Sequence, residues 1–277
     1  MFNFFIIMDE NLGNTIARHF SSEYFNYTIN FIISKEFPAF SDFPDFSLIL
    51  CDLDKNIELA KKYNLPVIAF SHENNKQESL MKTPWMILDV TALSPFFLKE
   101  VYCRHYHLPL TITTTSRCVI RELSPAQLPE LLLLQEENKD NLSGCFFPQD
   151  CNTCTQAKKF LSDYIKNQYA FYGYGIYGIF QKNDDTFLGI AGFSPIENTE
   201  EYSIEIGYSI QKKWQRQGVA SEVLPALLQF GKEYLGFTEI VTRIEKSNIG
   251  SIRLAQKNNL KILIYWNDGR KIKKKCW

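Results

Sequence analysis

No uninterrupted apolar run in this chain of 277 residues reaches membrane length; a helical span needs about 20 such residues. The apolar start, Phe2-Asn3-Phe4-Phe5-Ile6-Ile7-Met8, has no basic residue before it and stops at Asp9-Glu10. It reads as a buried first strand rather than a signal peptide or membrane anchor, and a cytoplasmic protein with no membrane partner is expected. Histidine is scarce: His19, His72, His105 and His107 all lie before residue 110. The 7 cysteines are an odd number and include a single C-x-x-C pair, Cys151 and Cys154, with Cys145 nearby. A four-ligand zinc site would need partners from elsewhere in the chain. Reduced thiols and no metal are therefore expected. A net charge of −1 gives no global reason to expect a nucleic-acid partner. The first strand is followed by Asp9-Glu10-Asn11-Leu12-Gly13, with one glycine, so the dinucleotide-binding G-x-G-x-x-G fingerprint is absent. There is no internal repeat and no low-complexity tract.

What is present is ample core material: 45% hydrophobic and 14% aromatic residues. The length favours two domains. Residues 1–116 carry 9 Lys/Arg and 13 Asp/Glu, net −4; the remainder carries 21 and 18, net +3. The basic bias of the second half would suit an anionic ligand, and chance explains so small a bias equally well. Short apolar strands alternate with helices through the first hundred residues: strands at 4–8, 28–34, 47–51, 66–70 and 84–90, helices at 14–23, 56–63 and 95–106. That alternation predicts a small, mostly parallel α/β sheet over residues 1–110, Rossmann-like or receiver-like. Asp9, Asp52 and Asp54 fall at strand C-terminal ends, where such folds place ligands. Helix capping and solvated loop tips are the favoured explanation of all three. Residues 111–116 read as a β-rich connector.

The second half begins with a strand from Arg117 and a helix at 123–135, with Ser124 as N-cap and Pro125 in its first turn. Tyr169 to Gln181 alternates aromatic and glycine residues, which fits a strand. Asn183-Asp184-Asp185 is a turn into a strand at 187–193. The strand-like run Tyr202-Ser203-Ile204-Glu205-Ile206-Gly207-Tyr208-Ser209-Ile210 leads into Gln215-Arg216-Gln217-Gly218-Val219-Ala220 and a helix from Ser221 to Tyr234. The first amides of a helix lack intrahelical partners and carry partial positive charge. Strand, small-residue turn and helix N-terminus together make a cradle for a pyrophosphate. A strand at 239–244, a helix at 249–257 and a strand at 261–266 complete the pattern.

The order Gln-x-x-Gly-x-Ala after a strand resembles the acyl-CoA signature (Gln/Arg-x-x-Gly-x-Gly/Ala) of the GNAT N-acetyltransferase superfamily. Asn248-Ile249-Gly250-Ser251 and the residues after it look like that superfamily's Asn-x-x-Ser helix. Arg117-Cys118-Val119-Ile120-Arg121-Glu122-Leu123 is similar to its first strand. The resemblance covers residues 117–277, and Glu205-Ile206-Gly207-Tyr208 looks most like the branch containing ribosomal-protein N-acetyltransferases. It implies an α+β domain with a mixed, splayed central sheet behind the α/β domain, and acetyl-CoA as co-substrate. It further implies that the pantetheine arm runs along Tyr208, Ser209 and Ile210. The amides of Gln217, Gly218, Val219 and Ala220 would hold the pyrophosphate, with support from Gln215, Arg216 and Ser221. Asn248 and Ser251 would also face the cofactor. Glu205 is the candidate general base, and the competing role is a strand glutamate paired with Arg243. Many members carry a tyrosine seven residues after the motif's asparagine as proton donor to the thiolate. Here that position is Ala255, which leaves Asn248 or Ser251 through a water, or Tyr208 or Tyr265, as substitutes.

The acceptor implied is a primary amine, on a small molecule or a protein N-terminus; a homodimer is left open. Three other functions stay in view. A non-catalytic acyl-CoA sensor would bind cofactor without turnover. The α/β half could be the working part, with the second half a scaffold. The run Arg270-Lys271-Ile272-Lys273-Lys274-Lys275 could serve an RNA-modifying enzyme or touch a cofactor phosphate, although a solvated final strand suffices. The tyrosines and phenylalanine Tyr164, Tyr169, Phe171, Tyr172, Tyr174 and Tyr177 are expected as core and hairpin surface, with an acceptor pocket as the alternative.

Overall fold

Alternation with a period of two decides which face each apolar residue of the first sheet covers. A computed structural model describes residues 2–24, 28–138, 146–148, 151–196, 204–265 and 275–276. The chain divides into two units, Met1–Leu110 and Thr111–Trp277. The first comprises β1 (Phe2–Ile7), α1 (Glu10–Glu23), β2 (Ile29–Ser34), β3 (Ser47–Cys51), α2 (Asp54–Lys62), β4 (Val67–Phe70), β5 (Met86–Ile87) and α3 (Pro95–His105). Its strands run in the order β2-β1-β3-β4-β5, every pair parallel. This is the doubly wound order of flavodoxin-like and receiver-like sheets. Phe4, Ile6, Leu48, Leu50 and Ile68 pack against Ile16 and Phe20 of α1 and Leu98 and Val101 of α3. Their neighbours Phe5, Ile7, Ile49, Cys51 and Ala69 pack against Ile57 and Ala60 of α2 on the opposite face. The expected strand at 84–90 is shorter: only Met86 and Ile87 pair, because Asp89 caps a 3-10 turn from Val90 to Ala92.

The second unit comprises β6 (Thr111–Thr114), β7 (Cys118–Glu122), α4 (Leu128–Glu137), α5 (Cys154–Tyr172), β8 (Ile176–Gln181), β9 (Phe187–Pro195), β10 (Ile204–Ile210), α6 (Val219–Glu233), β11 (Ile240–Glu245), α7 (Ile249–Lys257), β12 (Lys261–Tyr265) and β13 (Lys275–Cys276). The sheet order is β13-β12-β11-β10-β9-β8-β7-β6. Strands β6 to β10 are antiparallel to their neighbours, β10, β11 and β12 are mutually parallel, and β13 is antiparallel. The stretch expected as a connector supplies an edge strand, β6, and belongs to this sheet.

Residues 169–172, expected in a strand, end a 19-residue helix instead. Thr153 and Gln156 form its capping box, and Gly173 closes it at φ +71°. Ala157, Leu161 and Tyr169, at helical spacing, are its buried residues. The aromatic alternation belongs to a strand only from Ile176 onward. Tyr169 is fully buried: its hydroxyl donates to the Ile176 carbonyl and accepts from Leu123 N–H. Phe171 and Tyr172 are exposed, so the aromatic group divides between core and surface. Helices α4 and α5 cover one region of the sheet through Leu131, Leu134 and Leu161 against Phe180, Phe187 and Ile190. Helix α6 buries Val223, Leu224, Leu227 and Leu228, and a Cβ on its Gly231 would lie 2.9 Å from the Phe193 ring.

Candidate active site

The sheet opens between β10 and β11. These parallel strands pair only at Ile204 with Ile240 and Glu205 with Val241. Strand β10 continues to Ile210 fully paired with β9 on its other side. Among the described residues, its edge from Ile206 to Ile210 therefore has no strand against it on the β11 side. An unpaired strand edge offers backbone donors and acceptors to an extended guest. Among the described residues, no atom lies within 4 Å of where a Cβ on Gly207 would stand.

At the end of that edge the chain makes a tight turn. Gln215 is spent on the fold: its N–H donates to the Lys212 carbonyl and its Nε2 to the Ile210 carbonyl at 2.9 Å. Arg216 (φ +59°) and Gly218 (φ +81°) both take left-handed backbone, a conformation that costs a β-carbon residue energy and glycine very little. Gly218 is the N-cap of α6 and accepts from Glu222 N–H. Among the described residues, the six consecutive main-chain N–H groups from Arg216 to Ser221 have no hydrogen-bond partner. Most of this stretch is exposed. Six free donors at a helix N-terminus are an anion site in form.

Two residues outside the signature brace the turn. Glu222 Oε1 accepts from Ser116 Oγ (3.0 Å) and Arg117 N–H (2.7 Å), and Oε2 accepts from Arg117 Nε (2.7 Å). Burial by itself would raise the Glu222 carboxyl; hydrogen bonds from Thr115, Arg117 and Ser116 outweigh it and bring its pKa down to about 2. Arg117 Nη1 donates to the Gln217 carbonyl at 3.1 Å. The acidic residue in the first turn of α6 was visible in the sequence, but its partner lies 105 residues away.

Across the opening, Tyr208 of β10 meets α7. Its hydroxyl donates to Ser251 Oγ at 2.9 Å. Ser251 N–H donates to Asn248 Oδ1, which caps α7. Burial raises the Tyr208 hydroxyl above its ordinary 10, against the opposing pull of the Ser251 hydrogen bond. The hydrogen bonds through Tyr208, Ser251 and Asn248 thus link β10 to α7. Ala255 is 2% exposed and packs with Ile244 and Ile262, so no side chain reaches the opening from that position. The side chain of Tyr265 lies outside the described residues, as do Cys145, Ser203 and residues 266–274.

Glu205 stands where the two strands still pair. Its Oε2 accepts from Arg243 Nε (2.7 Å) and lies 2.6 Å from Nη2; its Oε1 accepts from Arg243 N–H at 3.3 Å. Oε1, with one long bond, is the oxygen with capacity to spare.

In the first unit each acid at the strand ends is engaged through at least one oxygen, while Asp52 Oδ1 is buried with no partner among the described residues. Asp9 caps α1 through Asn11 and Leu12 N–H, and Asp54 accepts from Ser79 and Leu80 N–H. Asp52 Oδ2 meets His72 Nε2 at 3.1 Å. Of the cysteines, Cys51, Cys103 and Cys118 are buried thiols and Cys154 is exposed. Among the described residues no group of three or more His, Cys, Asp or Glu side chains is placed to hold a metal ion, and no helix is long and apolar enough to cross a membrane.

A mixed sheet parted between two parallel strands, with a donor-lined turn at the mouth, is the arrangement that the resemblance to the GNAT acetyltransferases implies. The profile of the family described as "Acetyltransferase (GNAT) domain" matches residues 117–261, 145 of the 277 residues. The chain belongs to the GNAT acetyltransferase family. Among curated relatives, the [ribosomal protein uS5]-alanine N-acetyltransferase of Escherichia coli is 27% identical over 129 residues, 45% of this chain and 64% of that protein. The match therefore spans a little under two thirds of that relative. An uncharacterized N-acetyltransferase, p20, of Bacillus licheniformis is 32% identical over 78 residues, 28% of this chain and 43% of that protein. Among solved structures, the RimL ribosomal L7/L12 α-N-protein acetyltransferase in complex with coenzyme A is 23% identical, with TM-score 0.47, over 59% of this chain and 90% of its own.

Proposed function

We propose that this protein is a cytoplasmic, acetyl-CoA-dependent N-acetyltransferase whose acceptor is a primary amine, and that the amine is a protein N-terminus. The observation that carries this reading is the row of six unpartnered N–H groups from Arg216 to Ser221 beside the free edge of β10. The row takes the diphosphate of coenzyme A, and the edge from Ile206 to Ile210 pairs with the pantetheine amides, so the thioester lies along Tyr208 and Ser209. The substrate class leans on one curated relative, named as a [ribosomal protein uS5]-alanine N-acetyltransferase.

Acetyl transfer to an amine needs little covalent help. The ammonium loses a proton, the free amine attacks the thioester carbonyl, the C–S bond breaks, the nitrogen of the new amide gives up its second proton to water, and the departing thiolate is protonated. Glu205 receives the first proton through Oε1, directly or through a water. Its ion pair with Arg243 favours a competing role, in which it stitches β10 to β11 at the apex of the opening. The pair Tyr208–Ser251 supplies the last proton: the tyrosine is protonated throughout the neutral range, and its hydroxyl already points at Ser251 Oγ. A thiolate leaving group, with ordinary pKa about 8.5, needs only modest help.

The burial of Ala255 favours one second reading, an acyl-CoA sensor without turnover. Calorimetry with coenzyme A, followed by thiol release from acetyl-CoA with N-terminal peptides and small amines, separates the two. Binding with thiol release supports the enzyme, binding without release the sensor, and no binding removes both.

A further inference from the structure

Arg117 lies outside the cofactor signature, yet its side chain reaches the centre of that signature. We infer that Arg117, tethered by Glu222, is a positioning residue that sets the direction of the amides of the Gly218 turn. This deepens the proposed function and rests on it.

The geometry has three parts. First, the guanidinium is fixed: Nε and the backbone N–H of Arg117 each donate to a different oxygen of Glu222, and the Arg117 carbonyl accepts from Lys182 N–H at 2.8 Å. Second, Nη1 holds the Gln217 carbonyl. A trans peptide is planar, so its C=O and N–H point in opposite directions; a carbonyl held towards Arg117 turns the Gly218 N–H away from it. Third, Nη2 stands 3.3 Å from where a Cβ on Gly218 would be, which puts the cation beside the residue whose left-handed backbone makes the turn. An exposed turn without this bond would sample both orientations of the 217–218 peptide, and the anion would have to select one of them.

Stability alone does not account for the arrangement. The Arg117 side chain is 55% exposed, and ion pairs this open contribute little to folding. A lysine keeps the charge but has a single Nζ in place of the planar fork. It cannot hold Glu222 and Gln217 together in the same geometry. Charge attraction and positioning therefore make opposite forecasts for Arg117→Lys.

The test is calorimetry of coenzyme A and of 3′-dephospho-coenzyme A on the full chain, unaltered and as Arg117→Gln, Arg117→Lys and Glu222→Gln, with thermal melts alongside. Arg117→Gln and Arg117→Lys are expected to weaken both ligands about tenfold, in the range of a lost hydrogen bond to a charged group. Glu222→Gln is expected to weaken both by a smaller factor. With acetyl-CoA as substrate, KM for it rises while kcat at saturation holds. If Arg117→Lys binds as the unaltered chain does, charge alone is at work and the inference is overturned. It is likewise overturned if Arg117→Gln binds normally, or if its loss is confined to coenzyme A, which assigns the effect to the 3′-phosphate. Failure of the unaltered chain to bind either ligand overturns the function proposed above together with this inference.

Discussion

The two units treat the polar atoms at their strand ends in opposite ways. In the first, β1 pairs through six residues with β2 and five with β3, and Asp9 and Asp54 beyond the strands are taken by a helix cap and by loop amides. In the second, β10 and β11 part after two pairs, and the turn beyond keeps six donors free. Unpaired backbone groups cost stability when buried, so leaving them free is sustainable where water, or a ligand, reaches them. The parallel sheet of the first unit is paired along its strands and leaves isolated side-chain atoms unmet, Asp52 Oδ1 and Asn56 Nδ2 among them; the second, among the described residues, leaves a continuous row of main-chain donors unmet along one seam. Function is therefore to be sought at that seam.

The contrast can be broken most severely at Gly218. Gly218→Asp puts a side chain on left-handed backbone and an anion among the donors, and coenzyme A affinity is expected to fall by roughly a hundredfold or more. Calorimetry on a variant whose circular dichroism is unchanged checks this; retained affinity would remove the diphosphate from this turn. Next in size, Tyr208→Phe deletes the donor to Ser251 and should lower turnover about tenfold, less than the roughly 10²–10⁴ usual for general-acid catalysis because a thiolate leaves with little help. Coenzyme A affinity should hold. Because burial lifts the Tyr208 hydroxyl above 10, loss of its proton cannot shape the rate profile of the unaltered enzyme below that pH, and a Tyr208→Phe profile that differs only in height agrees with this. A third variant, Glu205→Gln, separates base from stitch. A base gives a rate loss that lessens as rising pH frees the amine unaided; a stitch gives a lower melting temperature with the shape of the pH profile preserved.

In the closed unit the expected effects are on stability alone. Asp54→Ala removes acceptors from Ser79 and Leu80 N–H and should cost about 1–2 kcal/mol. Denaturant titration reads the loss, and coenzyme A affinity should not change. The smallest effect is chemical. Burial, reinforced by the neighbouring Asp52, pushes the Cys51 thiol up to about 12, so a thiol reagent at neutral pH should label exposed Cys154 and spare Cys51 until the chain unfolds. Mass spectrometry of the labelled peptides shows which reacts first. The Glu222 carboxylate adds a pH dependence with a definite sign. Its folded pKa lies below its ordinary 4.5, so its contribution is complete above about 4.5 and is lost as pH falls towards 2. Stability measured between pH 5 and 8 should not sense it.

Much of this architecture is written locally in the chain. The alternation of Phe4 and Ile6 with Phe5 and Ile7 tells a two-faced buried strand, and Gly218 marks the left-handed turn because few other residues sit there at low cost. Other features are not local. The aromatic alternation around Tyr169 and Phe171 mimics a strand, while the helix that owns those residues is signalled 16 residues earlier by Thr153 and Gln156. The hold of Arg117 on Glu222 and Gln217 joins positions 105 and 100 residues apart and has no signature in either segment. The engagement of Glu205 by Arg243 could be named from the sequence as an option, and geometry was needed to show that both oxygens are used. Ala255 differs again: the sequence shows a small residue there, and the structure adds that its methyl packs between α7 and β11 and β12.

The separation of Arg117 from Glu222 also bears on synthesis. At roughly 5–20 residues per second, the 105 residues between them occupy the ribosome for about 5–20 s after the arginine has been made. Throughout that interval the nascent chain has its first strand but neither the carboxylate that anchors it nor the turn that it steadies. Under the proposed function, competence to grip a nucleotide cofactor is thus among the later properties the growing polypeptide acquires, and the parallel sheet of the first unit has time to fold before it.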